Sequence, residues 1–184
     1  MNKNTKNTVN YFWRITYSHT IAYFIAGVLA LQIMDYKNLF SLDFFSFMRP
    51  TDEAIVGLAP FLQIFRGMLI ALILLPLRKT FFEEKHGLLK LGLVMIGFSL
   101  FLTFAAAPGS FEGFIYTTIP FQYQVIGYPE AIVYSSLFLL LLHISNKYGH
   151  KKIVNILAII FLVLICLMSV MGYLVNSGRI VTNW

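Results

Sequence analysis

The amino-acid sequence predicts an all-α membrane protein: a polytopic transmembrane helical bundle of about five spans, with a re-entrant or interfacial outer segment. Of the 184 residues, 58% are hydrophobic and only 12% are charged, against roughly 25% charged residues in soluble domains. The mean hydropathy is +0.74. A soluble protein of this size could not bury so much apolar surface.

Five apolar stretches are long enough, or nearly long enough, to cross a hydrocarbon core, which takes roughly 20 residues. They must be helical, because lipid offers no hydrogen-bond partner to an exposed backbone. The shortest begins at Pro129, a residue that suits the first turn of a helix. No linker or repeat divides the chain, so residues 1–184 are predicted to form a single integral-membrane domain. In order, the predicted spans are Ile15–Met34, Ala54–Leu77, Leu88–Ala107, about Pro129–Ser145, and Ile153–Leu174.

The distribution of basic residues predicts the orientation. Only Lys37, Arg49 and Arg179 lie in the connections that would face outward. Because cytoplasmic connections are enriched in Lys and Arg, we expect a multi-pass protein of the cell (inner or plasma) membrane with a cytoplasmic N-terminus and an outer C-terminus. The net charge of +6 then matches anionic lipid headgroups rather than nucleic acid. The basic residues assigned to the inner side are Lys3, Lys6, Arg14, Arg78, Lys79, Lys85, Lys90, Lys147, Lys151 and Lys152.

Two outer connections are unusually rich in aromatic residues. Residues 35–53 contain Phe40, Phe44, Phe45 and Phe47, which predicts either a short amphipathic helix in the interface or a loop folded over the helix ends. Residues 108–130 carry no basic residue and are broken by repeated Gly and Pro. This second segment is too apolar for a free loop, so we expect it to be re-entrant or to lie along the interface.

The predicted site centres on Arg66, near the middle of the second span. A guanidinium keeps its proton and is costly at bilayer depth unless it finds water or a partner. Gln63 shares its helix face. We therefore expect an ion pair with an outer carboxylate, Glu112 first and Glu130 second. Either these four residues line a water-accessible pocket, or the ion pair is purely structural.

Other chemistries have weaker support in the sequence. His19 and His143 fall in the same leaflet and could ligate haem, as in b-type cytochromes, but each span carries only one of them, so a structural histidine with Tyr23 as a possible partner is favoured. Cys166 is the single cysteine, which excludes a disulfide framework. No motif of a hydrolase or nucleotide-binding protein is present. We expect no cofactor, no metal and no catalytic residue.

One resemblance involves the same residues. Gln63, Arg66 and Gly67, together with Pro108–Thr117 and Tyr128–Glu130, resemble a pattern from an uncharacterised family of small polytopic bacterial membrane proteins. The resemblance implies the helical architecture and supports the choice of site. It implies no activity.

The sequence leaves three functions open. The first is a non-enzymatic membrane protein whose outward-facing polar pocket binds or conducts a small polar or anionic solute, or docks a partner. The second is a membrane enzyme acting on a lipid or lipid-linked substrate, with Glu112 or Glu130 as acid or base. The third is a haem protein. The expected partners are the lipid bilayer and a small solute or lipid, and an oligomer is possible.

Overall fold

A computed structural model describes residues 3–103 and 105–180 of the chain, with the side chains of residues 3–6 outside the described part. The protein is 76% helical, and no strand occurs among these residues. The all-α prediction is therefore confirmed. In chain order the helices are α1 (Lys3–Ile33), α2 (Tyr36–Leu39), α3 (Ala54–Leu74), α4 (Gly87–Ile96), α5 (Phe111–Tyr116), α6 (Phe121–Gln124), α7 (Tyr128–Tyr148) and α8 (Lys152–Asn176).

Four helical stretches are long and apolar enough to cross a membrane: Asn7–Ile33, Ala54–Leu74, Phe121–Tyr148 and Lys152–Asn176. They match four of the predicted spans, although α1 begins well before Ile15 and α7 extends past Ser145 to Tyr148. The predicted third span, Leu88–Ala107, is shorter than expected. Its helix runs from Gly87 to Phe101, the last five residues being a π-helical turn.

The α1 helix is the centre of the bundle, since it packs against α3, α7 and α8. Small residues allow this close packing: Ala22, Ala26 and Ala30 are buried along one side of α1. Gly67 of α3 lies against α1, because an added Cβ there would come within 2.9 Å of the Cα atom of Thr16. The helix that approaches closely at Gly67 is thus α1.

The bundle has two chemically different ends. The basic face contains the start of α1, the connection from α3 into α4, and the turn between α7 and α8 (residues 7–14, 76–90 and 146–152). The aromatic face is the opposite end (residues 34–53, 102–103, 105–130 and 174–180). Trp13 and Asn155 join α1 to α8 at the basic face through a hydrogen bond of 2.9 Å. Tyr36 and Glu130 join the chain segments at the aromatic face.

The α3 helix contains Pro60, which has no amide hydrogen to donate and crowds the preceding turn. A side chain from α8 lies at this point. The hydroxyl of Ser169 accepts from the amide of Phe61 at 3.1 Å and donates to the carbonyl of Gly57 at 2.9 Å. In a regular helix that amide and that carbonyl would bond to each other. Ser169 therefore satisfies backbone groups beside the proline.

Of the two structures predicted for residues 35–53, the chain forms the loop over the helix ends and not the amphipathic helix in the interface. The α2 helix has only four residues, and a 3-10 turn follows at Asp43–Phe45. The ring of Phe44 lies 4.8 Å from that of Tyr123, and Phe45 is buried beside them. These aromatic contacts hold the loop over the ends of the helices, where it contacts the second aromatic segment.

The second aromatic segment is compact. Gln124 is almost fully buried, and its amide nitrogen donates to the carbonyls of Gly113 and Ile119 and to the hydroxyl of Thr117. Its amide oxygen accepts from the backbone of Gly109 at 2.8 Å. A single side chain thus ties together the two short helices of this segment.

Candidate functional site

A large cleft lies at the aromatic face. Its volume is about 850 Å³. Apolar and aromatic side chains from α1, α3, the 35–53 loop and the end of the α4 stretch form most of its wall. Among the described residues lining it, the charged ones are Arg49 and Glu130. Arg49 already pairs with Glu53, so Glu130 is the carboxylate available to a molecule in the cleft.

Glu130 is positioned by the start of α7 and by a tyrosine from the 35–53 loop. The hydroxyl of Tyr36 donates a hydrogen bond to its carboxylate. Burial, and after it this hydrogen bond to Glu130, raises the pKa of Tyr36 above its usual value. The hydroxyl therefore remains a donor at any physiological pH. The start of α7 and Tyr36 thus hold one carboxylate, already oriented, on a mainly apolar wall.

A chain of polar side chains lies deeper in the bundle. His19 of α1 is fully buried; its Nε2 lies 3.1 Å from Oε1 of Gln63 and its Nδ1 lies 2.7 Å from the hydroxyl of Tyr134. An amide oxygen can only accept, so Nε2 carries the hydrogen, and in the neutral ring Nδ1 accepts from Tyr134. This network connects α1, α3 and α7.

Tyr23 connects the cleft to that network. It lines the cleft, and its ring centroid lies 6.2 Å from that of His19. The prediction that Tyr23 is the partner of His19 needs correction, because the hydrogen bond is made by Tyr134. The two are on different helices, separated by 115 positions, so helical spacing within one span could not reveal their contact.

Arg66 does not form the predicted ion pair. It is exposed at the surface of the described bundle, and its Nη1 reaches Oε1 of Gln63 at 3.5 Å. No ion pair joins it to Glu112 or Glu130, both of which the structure describes. The reason is the direction of the side chain. Gln63 faces α1, while Arg66 projects from α3 at about 60° to Gln63, toward the side of α3 that no other described helix covers.

Glu112 lies apart from the other predicted site residues. It belongs to the first turn of α5, whose N-terminus is capped by Ser110, with the hydroxyl accepting from the amide of Gly113 at 3.0 Å. The segment that carries Glu112 is folded on itself by Gln124, and Glu112 forms no ion pair with a described residue. Of the four predicted residues, the structure joins only Gln63 and Arg66, and it places Glu130 in the cleft.

Tyr36, Gln124 and Tyr134 are structurally important residues that sequence reasoning missed. Only Tyr134 had an available signal, because it lies four positions after Glu130 and so shares a face of α7 with it. Tyr36 and Gln124 form hydrogen bonds with residues beyond their own helices, and spacing within one helix does not predict such contacts.

The histidines are not arranged as a ligand pair. Both ring nitrogens of His19 are engaged in hydrogen bonds, whereas the side chain of His143 is exposed at the far part of α7. Throughout residues 3–103 and 105–180 there is no group of three or more His, Cys, Asp or Glu side chains suited to a metal ion.

No family model, curated protein or solved structure matches this chain. The function must therefore be argued from the cleft and its residues.

Proposed function

We propose that this is a non-enzymatic multi-pass protein of the cell membrane that binds an amphipathic, lipid-like molecule in the cleft at its aromatic face. The supporting observation is one hydrogen-bonded carboxylate set in a large apolar cavity. The cleft volume of about 850 Å³ falls in the range of roughly 300–1,000 Å³ typical of ligand pockets. Its apolar walls would cover hydrocarbon, while Glu130 and Tyr36 would hold the polar end.

The lining also bears on the chemistry of that polar end. Glu130 is an acceptor, and Arg49 is already occupied by Glu53. A ligand whose polar end carries O–H or N–H donors therefore fits better than the anionic solute, which was one of the alternatives left open by the sequence. Arg66, the expected source of positive potential, does not line the cleft. On the topology predicted from Lys and Arg, the cleft opens outward.

A pair of matched substitutions tests this proposal. Val28 lines the cleft, while Val163 lies on α8 with an exposed side chain. We expect Val28→Trp to fill the cleft and to lower several-fold the amount of lipid that copurifies in mild detergent, measured by mass spectrometry. Val163→Trp is the control and should retain the wild-type amount. Equal lipid retention by the two variants would rule out the cleft as the binding site.

A second candidate rests on the same carboxylate. A hydrogen-bonded Glu beside a tyrosine hydroxyl can transfer a proton, which would suit an enzyme acting on a lipid or lipid-linked substrate. Glu130→Gln separates the two functions because it keeps the shape of the side chain. For an enzyme, the variant would still bind lipid but would accumulate unreacted substrate. For a binding protein, it would alter which lipids are retained and no converted product would appear with the wild type.

A further inference from the structure

A second cavity, of about 240 Å³, lies at the basic face. It is formed where α1 begins, α3 ends and α7 ends, and it shares no lining residue with the large cleft. This volume is several times the roughly 30 Å³ that one water molecule occupies in the liquid. Its polar side chains are mostly hydrogen-bond donors: Asn7, Asn10, Arg14, Arg78 and Asn146, with Glu83 as the one acid.

One wall is a stripe of donors on α1. Asn7, Asn10 and Arg14 are spaced by three and four residues and therefore share a helix face. Arg14 also lies close to the end of α7: a Cβ added to Gly149 would come within 2.8 Å of its Nε. In the described part of the chain, Arg14 forms no ion pair. Its positive charge is thus held at the cavity without a compensating carboxylate.

The opposite wall carries a second guanidinium. Arg78 is about one-third exposed and lies 3.7 Å from Oε1 of Glu83, with its Cζ 5.1 Å from the centre of the Tyr11 ring. These two contacts orient Arg78. Among the described residues that line the cavity, the charges therefore sum to one positive charge: two arginines against Glu83.

Tyr11 supplies an independent observation. It also lines the cavity, and its hydroxyl is buried with no hydrogen-bond partner among the described residues. A buried, unpaired hydroxyl is costly. An acceptor oxygen in the cavity would satisfy it after a small shift of the ring, because the hydroxyl itself has less than 1 Å² of accessible surface.

We infer that this cavity binds a phosphate-bearing anion between Arg14 and Arg78. Guanidinium groups bind phosphate through paired N–H donors, and the asparagine amides and the Tyr11 hydroxyl add neutral donors. This proposed site lies at the opposite end of the bundle from the large cleft and shares no lining residue with it. The proposal therefore does not depend on what the large cleft binds. The phosphate could belong to a lipid headgroup or to a free ion in solution.

Thermal unfolding of the full chain in neutral detergent separates these sources. One arm adds inorganic phosphate against chloride at matched ionic strength. The other adds phosphatidylglycerol against a diacylglycerol with the same acyl chains. We expect phosphate, phosphatidylglycerol or both to raise the unfolding temperature relative to its matched control. A response to phosphatidylglycerol alone identifies the headgroup, and a response to inorganic phosphate identifies the free ion.

Variants test whether the cavity causes the shift. Arg14→Gln and Arg78→Gln should each abolish it, and Tyr11→Phe should reduce it. Lys152→Gln is the matched control, since it removes one positive charge from an exposed side chain outside the cavity. If an arginine variant fails to fold, Asn146→Ala should still weaken the response. An equal shift in the arginine variants and in Lys152→Gln, or no shift with either phosphate source, would overturn the inference.

Discussion

Gly57 of α3 and Gly172 of α8 meet backbone to backbone, and the contact is asymmetric. A Cβ added to Gly57 would lie 2.7 Å from the carbonyl carbon of Gly172. A Cβ added to Gly172 would lie 3.4 Å from the Cα of Gly57, which is ordinary contact. The two glycines are therefore not equivalent, although they occupy the same seam between two predicted spans.

This asymmetry predicts different outcomes for the two alanine substitutions. Gly57→Ala should push α8 away and destabilise the protein by about 1–3 kcal/mol, the usual cost of overpacking. Gly172→Ala should have a much smaller effect. Gly27→Ala is the control, because nothing lies within 4 Å of an added Cβ there. Unfolding in mixed micelles measures all three, and a loss at Gly172 as large as that at Gly57 would contradict the predicted seam.

Ser169 should stabilise α3 specifically because Pro60 disturbs it. Ser169→Ala removes a hydroxyl that accepts from Phe61 and donates to Gly57, and we expect a loss of about 1–3 kcal/mol from the unpaired backbone groups. In a Pro60→Ala background those groups can bond to each other, so the loss should shrink. A double-mutant cycle measures this coupling. Ser136→Ala, at an exposed position of α7, is the control, and strict additivity of Pro60→Ala and Ser169→Ala would refute the mechanism.

The hydrogen bond between Tyr134 and His19 should contribute to stability. Tyr134→Phe keeps the ring but leaves Nδ1 of the buried His19 without its 2.7 Å partner, which should cost about 1–3 kcal/mol. Tyr116→Phe alters an exposed tyrosine and should change the unfolding midpoint little. A wild-type midpoint for Tyr134→Phe would show that the hydrogen bond is energetically neutral.

Orientation remains a prediction that fusion reporters can test. The Lys and Arg distribution places the C-terminus outside and residues 147–152 in the cytoplasm. Alkaline phosphatase, which is active only outside the cytoplasm, should therefore be active when fused to the C-terminus and inactive when fused within 147–152. The reverse pattern would invert the topology and move the large cleft to the cytoplasmic side.

Local signals predicted much of the fold. The α3 helix begins at Ala54 as predicted, because the change from polar to apolar residues is abrupt there. The end of the third span was missed, since residues up to Ala107 are apolar but the helix ends at Phe101. There the hydroxyl of Thr103 donates a hydrogen bond to the carbonyl of Ala105, and the hydroxyl of Ser110 donates one to the carbonyl of Ala107. These turns begin the α5 segment, and hydropathy does not encode them.

The site was harder to predict because its contacts join distant parts of the chain. His19 and Gln63 are 44 positions apart, and Tyr36 and Glu130 are 94 positions apart. The cost of an uncompensated charge favours an ion pair for Arg66, but that cost does not specify the direction in which the side chain projects from α3. The prediction that Gln63 neighbours Arg66 is correct, because residues three apart in a helix lie on the same face.

The stretch from Gly87 to Phe101 is shorter than a typical hydrocarbon core is thick. Its 10 α-helical and 5 π-helical residues span roughly 22 Å at about 1.5 Å per residue, whereas a typical hydrocarbon core is about 30 Å thick. Where this stretch borders the bilayer, the acyl chains must shorten or tilt to match it, which costs a fraction of a kcal/mol per Å of mismatch. If this stretch is the predicted third span, we therefore expect the protein to thin the membrane on that flank and to partition toward thinner bilayers.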